Sequence, residues 1–178
     1  IYNIGINSSL IFNRFSYNCS IDTLINIDYP YSKLKYKYSC ININDNKYSI
    51  YVKHNSSNTY SKVVNHGLNL TSKKLDFLVN GIIPKESSNV SCNQDSKIIL
   101  KADNNSSIKP NLLVDNYDVE ANHSCYIGHF RNEEIFYLQT RGLTKKESEN
   151  ILAKAFLLGD MDINFLNKNM ILEDLKKV

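Results

Sequence analysis

Apolar and polar residues alternate in short runs along the first 130 positions. "SCININ" puts Cys40, Asn42 and Asn44 on one face and Ile41 and Ile43 on the other. "YSIYVKH" groups Tyr48, Ile50 and Val52, and "KLDFLVNGII" sets Leu75, Phe77 and Val79 against Asp76, Leu78 and Asn80. Further runs follow at "SKIILKA", "NLLVDNYDVEA" and "HSCYIGHF". A period of two broken by Asn, Ser, Asp and Gly is the signature of strands. Many short strands with no helix between them predict an all-β body. Sandwich, barrel and β-solenoid all fit this pattern, and no strict repeat is visible to choose among them. Pairs such as Asn104-Asn105 suit left-handed corners, which solenoids and hairpins both use.

The pattern changes at Asn132. That residue is a good N-cap, Glu133 and Glu134 fill a first turn, and Ile135, Phe136 and Leu138 mark an apolar stripe. Arg141 in the last turn and Gly142 just beyond it close the helix. Thr144-Lys145-Lys146-Glu147 reads as a capping box. It leads into Ile151, Leu152, Ala155, Phe156 and Leu158 at helical spacing, with Gly159 as the stop. A third helix is expected over about 163–176. The chain thus divides into a β body over 1–130 and a helical part over 131–178.

Composition narrows the function. The chain has 178 residues, a net charge of +3 and only three arginines, with its lysines scattered, so no basic block points to nucleic acid. No apolar run is long enough for a membrane-spanning helix. The start has no basic lead-in and no small-residue cleavage site, so a signal peptide is not expected. The richness in Asn, Ile, Lys and Tyr reflects AT-rich codons. Cys19, Cys40, Cys92 and Cys125 form no CxxC and are expected as free, mostly buried thiols. There is no Gly-rich phosphate loop and no defensible Ser/His/Asp grouping.

The stretch "ANHSCYIGHF" concentrates the candidate chemistry. Period two places His123 and Cys125 on one strand face, and imidazole and thiolate both suit iron. A mononuclear zinc site from His123, Cys125 and His129 lacks a fourth ligand and the usual spacing. Taken alone, His123 is more readily a histidine satisfied by a neighbouring backbone group than a ligand. Cys125 reads as a small buried hydrophobe, and His129 as a solvated turn residue.

Three longer stretches carry a family resemblance. "FYLQTRGLTKKESENILAKAF" resembles the C-terminal signature of the SufB/SufD family of iron–sulfur cluster assembly. "HNSSNTYSKVVNHGLNLTSKKLDFLVNGII" resembles its His-x-x-x-x-x-x-Ser segment, which runs into a Phe-x-x-x-Gly-x-Ile strand. "SKIILKADNNSSIKPNLLVDNYDVEANHS" is similar to its Lys-Pro-x-Leu stretch and the strand ending in His. The resemblance covers about residues 54–160 in order. Lys109-Pro110-Asn111-Leu112 favours the SufD-like branch. A SufB-like chain would have Glu where Ser124 stands. It would also have a cysteine where Asp95 falls, with Cys92 lying three residues earlier. One departure from the SufD-like pattern is Ala121, where a cysteine often precedes the His by two.

The resemblance implies a right-handed parallel β-helix followed by a small helical domain. It implies a scaffold without catalysis of its own, pairing with a SufB-like subunit and docking a SufC-like ATPase, with no nucleic-acid or membrane partner. The alternative is a SufB-like, cluster-bearing subunit. His123 would face a nascent iron–sulfur cluster, held transiently and shared with the partner, and would be its metal ligand. Phe136, Tyr137, Arg141, Gly142, Ile151, Ala155 and Phe156 would form the partner-binding helical surface. The expected compartment is the cytoplasm of an AT-rich bacterium or endosymbiont, or alternatively a plastid or apicoplast interior. An unrelated sugar-binding solenoid would need Tyr36 and Tyr38 exposed.

Overall fold

The computed structural model describes residues 1–159 together with Met161, Asn169 and Glu173. The expected third helix lies almost wholly outside these described residues. Ten strands run in sequence: β1 (Tyr2–Ile4), β2 (Ser9–Tyr17), β3 (Ile21–Ile27), β4 (Lys33–Asn42), β5 (Asn46–His54), β6 (Tyr60–Asn69), β7 (Leu75–Ile83), β8 (Val90–Leu100), β9 (Ser107–Val114) and β10 (Val119–Gly128). Two helices follow, α1 (Asn132–Gln139) and α2 (Lys145–Leu158). Odd strands form one sheet in the order β1-β3-β5-β7-β9, and even strands form the other, β10-β8-β6-β4-β2. Every pairing between neighbours is parallel. The chain therefore winds through one sheet and then the other, one coil per strand pair, which is a parallel β-solenoid.

The missing repeat period has a structural reason. Tyr2 pairs with Ile25, Ile21 with Tyr48, Asn46 with Leu75 and Asp76 with Ser107, which are offsets of 23, 27, 29 and 31 residues. The strands stay in register while the corners between them grow. Side chains repeat faithfully in space, and the sequence does not.

Alternation within each strand fills the interior. Tyr48, Ile50 and Val52 point inward from one sheet, and Leu34, Tyr36, Tyr38 and Cys40 from the other, all buried. Tyr38 and Tyr48 stack across the two sheets with centroids 3.9 Å apart, and Phe77 meets both edge-on. Tyr36 and Tyr38 are 0% and 1% exposed, so the surface aromatics that a sugar-binding solenoid would need are core residues instead.

Asparagine builds the corners. Asn7, Asn58 and Asn89 occupy the left-handed region together with Tyr31 at one corner, and Asn18 does so at the other. Asn89 Nδ2 donates to Asn58 Oδ1 one coil away, at 2.7 Å, and Asn42 Nδ2 donates to Asn69 Oδ1 at 3.2 Å. The short amide side chain tolerates positive φ and also satisfies the next coil. Asn104 and Asn105 are not left-handed. Asn104 Oδ1 instead accepts from Ser106 N, and its Nδ2 donates to Ala102 O and Thr71 O.

His54, the histidine of the His-x-x-x-x-x-x-Ser segment, is fully buried where β5 turns toward β6. Its Nδ1 lies 2.8 Å from Thr59 Oγ1 and its Nε2 lies 2.8 Å from Ser61 Oγ. Thr59 Oγ1 already donates to Ser56 O, so it accepts from Nδ1–H, and Ser61 donates to a neutral Nε2. Burial holds the imidazole pKa down at about 4, against 6.5 for the free group. The folded state therefore binds fewer protons than the unfolded chain between these values. The contribution is complete above pH ~6.5 and is lost as pH falls toward 4, about 3 kcal/mol across the window. The urea midpoint of the wild type should fall between pH 7 and pH 4.5. A His54→Gln variant, weaker at pH 7 by roughly 2–3 kcal/mol, should lose much less over that interval.

Candidate functional site

β10 is the last strand of its sheet, with β8 on one side and no strand on the other among the described residues. Its register places Ala121 beside Cys92, His123 beside Gln94, Cys125 beside Ser96 and Ile127 beside Ile98. The β8 residues of those pairs are buried in the interior. His123 and Cys125 thus belong to the inward-facing set, and they are exposed only because no further coil covers them. His123 makes no hydrogen bond or ion pair within the described residues. Cys125, expected to be buried, is an exposed free thiol for the same reason.

The layer beneath this pair is polar. Gln94 is 4% exposed, its Nε2 donates to Asn111 O at 3.4 Å, and its Oε1 has no partner. Ser96 is fully buried and accepts from Asn65 Nδ2 at 3.0 Å. The opposite face of β10 is engaged with β8. Ser124 Oγ donates to Asp95 Oδ1 at 2.7 Å, and Asp95 also pairs with Lys97 at 3.2 Å. No group of three or more His, Cys, Asp and Glu side chains able to hold a metal occurs among the described residues. His129 is exposed, as expected of a turn residue, with Nε2 3.5 Å from Asp103 Oδ1.

The four thiols divide evenly, and the expectation of mostly buried thiols holds for only two of them. Cys40 and Cys92 are interior, while Cys19 and Cys125 are exposed. Burial pushes the Cys40 thiol up to about 12 and raises that of Cys92, where a contact with Ser61 only partly offsets it.

The helices begin and end by specific hydrogen bonds. Thr144 caps α2 as read from the sequence, accepting from Glu147 N, while Glu147 Oε2 accepts from Thr144 N at 2.8 Å. In α1 the cap falls one residue earlier than expected, on Arg131, because the Glu134 carboxylate accepts from Arg131 N. Arg141 lies beyond the last turn of α1 and folds back over the Tyr137 ring, 5.3 Å from its centroid. Gly142 follows with φ +90°, a left-handed conformation that glycine adopts without strain.

α2 divides its apolar residues between two surfaces. Ala153, Leu157 and Leu158 are buried against Ile41, Leu68 and Ile99 on the outside of the even-stranded sheet. The Phe156 ring stacks on His66 at 4.4 Å. Ile151 and Ala155 remain exposed, as do Phe136 and Tyr137 of α1, at 68% and 58%. On α1 it is Ile135 and Leu138 that are half-buried. Two polar residues that sequence reading did not single out secure α2. Ser39 Oγ donates to Leu157 O at 2.7 Å, and His66 Nδ1 donates to Phe156 O at 2.7 Å. Ser39 and His66 are register partners, so together they satisfy two carbonyls of the last helical turn. Their signal in the sequence was weak, since each looks like any outward polar residue of a strand. A groove of about 770 Å³ opens beside them, with His66, Lys97, Arg131 and Leu152 in its walls.

The fold defines a parallel solenoid with His123 and Cys125 exposed on β10, the outermost described strand of its sheet, and with α2 packed on one flank. The chain belongs to the SufB/SufD family. Residues 25–156 match the family described as "SUF system FeS cluster assembly, SufBD core domain". The match begins well before residue 54, at the end of β3, and takes in β4 and β5. The chain is also similar to the iron–sulfur cluster assembly protein SufD of Bacillus subtilis (strain 168), with 26% identity over 113 residues, or 61% of this chain. It spans about a quarter (26%) of the length of that curated relative. No helix among the described residues is long and apolar enough to cross a membrane.

A thiol-reactive probe applied to the folded chain should label Cys19 and Cys125 rapidly. Cys40 and Cys92 should react only after denaturant is added, which a mass count of labels against time will read directly.

Proposed function

We propose that the chain works as a SufD-like scaffold without catalysis of its own, presenting its last coil to a SufB-like subunit and its helices to a SufC-like ATPase. The observation that carries this reading is His123, an unpaired imidazole on an uncovered coil end of a SufBD core domain. A nascent iron–sulfur cluster would be cargo at that edge, touched by His123 and completed by donors from the partner. The chain lacks a third donor within reach among its described residues, which favours a shared site over a self-contained one. The SufB-like alternative needs an accessible thiol near positions 92–95. Burial of Cys92 and the outward, hydrogen-bonded setting of Asp95 weigh against it.

Phe136, Tyr137, Arg141, Gly142, Ile151 and Ala155 supply the surface for the ATPase. Phe136, Tyr137 and Ile151 form large exposed apolar area, while Ala153, Leu157 and Leu158 of α2 are packed on the sheet. Phe156 would support that surface from behind through its contact with His66.

Co-purification with the SufB-like and SufC-like proteins of the same source tests the reading, and failure to bind either would overturn it. A Phe136→Glu/Ile151→Glu double variant should bind the ATPase at least tenfold more weakly, with thermal stability unchanged within a few degrees. A His123→Ala variant should keep both partners and lose cluster assembly in the reconstituted complex.

A further inference from the structure

Lysines that are scattered along the sequence meet on the outer face of the even-stranded sheet. Alternation in β4 buries Leu34, Tyr36 and Tyr38 and turns Lys33, Lys35 and Lys37 outward. Alternate residues of a strand lie roughly 6.6–6.8 Å apart, so these three form an evenly spaced row. Lys62 extends the row into β6 as the register partner of Lys35, about 4.8 Å away between strands. Crossing from β4, the first carboxylate on this face is Asp95 of β8, already engaged by Lys97 at 3.2 Å and by Ser124 at 2.7 Å. The pairing of Lys35 with Lys62 is unfavourable by itself, because like charges side by side on neighbouring strands destabilise a sheet. Elsewhere on the solenoid Lys97 is offset by Asp95 and Lys74 by Asp76. Lys33, Lys35 and Lys62 have no side-chain hydrogen bond or ion pair among the described residues.

We propose that this strip docks an acidic segment of a partner protein, lying extended along β4. An extended segment with Asp or Glu at every second position repeats its carboxylates at the same spacing of roughly 6.6–6.8 Å, so each meets one lysine of the row. Two features favour a peptide over a nucleic acid. Ile11, 58% exposed, shares a row with Lys35 and Lys62 and offers an apolar contact beside the charges. No exposed aromatic ring stands among the lysines for a base to stack on, since Tyr60 is half-buried. The strip is separate from the surfaces assigned above and does not depend on them. α2 covers the other ends of the same strands, at Ile41, Leu68 and Ile99, and His123 belongs to the inward row of β10.

Titration of a dye-labelled peptide of alternating Glu and Thr with the purified full chain, read by fluorescence anisotropy, is the test. The wild type should bind it, and at least fivefold more tightly at about 0.05 M than at about 0.5 M salt. Lys35→Glu/Lys62→Glu should weaken binding at least tenfold, while Lys109→Glu/Lys145→Glu, an equal change of net charge on other surfaces, should bind as the wild type does. Lys62→Glu alone sets an opposite charge beside Lys35, so it should raise the thermal midpoint while weakening the peptide, which separates lost binding from lost fold. Should the double reversal not fold, Lys35→Gln/Lys62→Gln removes the like-charge pair without adding charge, and it should weaken binding at least threefold. The site is overturned by absence of binding to the wild type, by undiminished binding to the Lys35 and Lys62 variants, or by equal binding of a peptide with the same residues in two blocks. Tighter binding of an oligothymidylate of equal charge also overturns it and gives the strip to nucleic acid.

Discussion

Everything in this molecule depends on parallel coils stacking in register. One coil is a single strand thick, about 4.8 Å, and cannot bury its own inner row. Each inward side chain is covered by its counterparts in the coils above and below and by the facing sheet. The inner residues therefore form columns, such as Ile21–Tyr48–Phe77–Ile108 in one sheet and Cys40–Gly67–Ile98–Ile127 in the other. Polar members find partners in the same narrow space, as Tyr38 does with Ser16, Asn65 with Ser96, and His54 with Thr59 and Ser61, whereas Gln94 Oε1 has none. Where the sheets come closest the chain uses glycine. A Cβ on Gly67 would lie 2.7 Å from Leu75 Cδ2 and 2.9 Å from Phe77 Cζ, and one on Gly81 would lie 2.7 Å from Cys92 Sγ. A methyl group at either position would require those side chains to shift.

The outer surface of the same columns determines where the tail attaches. Ile41, Leu68 and Ile99 make an apolar row that crosses three coils, and α2 lies on it with Ala153 and Leu157. Ser39 and His66, one row away, bond to the carbonyls at the helix end that intrahelical bonds leave free. The tail is thus anchored at the C-terminal turn of α2, while α1 buries none of its residues. Through this turn the tail contacts β4 and β6, interior strands of their sheet.

Much of this was legible in the sequence. Alternation at Tyr48, Ile50 and Val52, and at Leu75, Phe77 and Val79, reports burial correctly because each strand has one covered and one open face. The α2 capping box was legible because it is local, needing only Thr144 and Glu147. What failed was whatever depends on the neighbouring coil. Whether Tyr36 and Tyr38 face in or out is not set locally, and it is the facing sheet that buries them. The left-handed corners fall on Asn18, Asn58 and Asn89 rather than on Asn104, because the register, and not the dipeptide, decides which asparagine must bend. Cys125 was misjudged for the converse reason. It obeys the inward alternation, and only the absence of a covering coil among the described residues exposes it.

That last point ties the core to the function. Two inner columns, Phe12–Tyr36–Val63–Gln94–His123 and Arg14–Tyr38–Asn65–Ser96–Cys125, each hold an aromatic ring in β4 and are polar in β8 and β10. An apolar ending would leave a flat, sticky edge, the kind that recruits strands indiscriminately. Asn65, Ser96 and Gln94 give up some hydrophobic stabilisation, and the outermost described strand carries His123 and Cys125 beside Ile127 in its inward row. The inner coils hold the fold, and the outermost described ones leave part of their inward row in solvent. The same alternation, read one coil further on, changes from packing rule to chemistry.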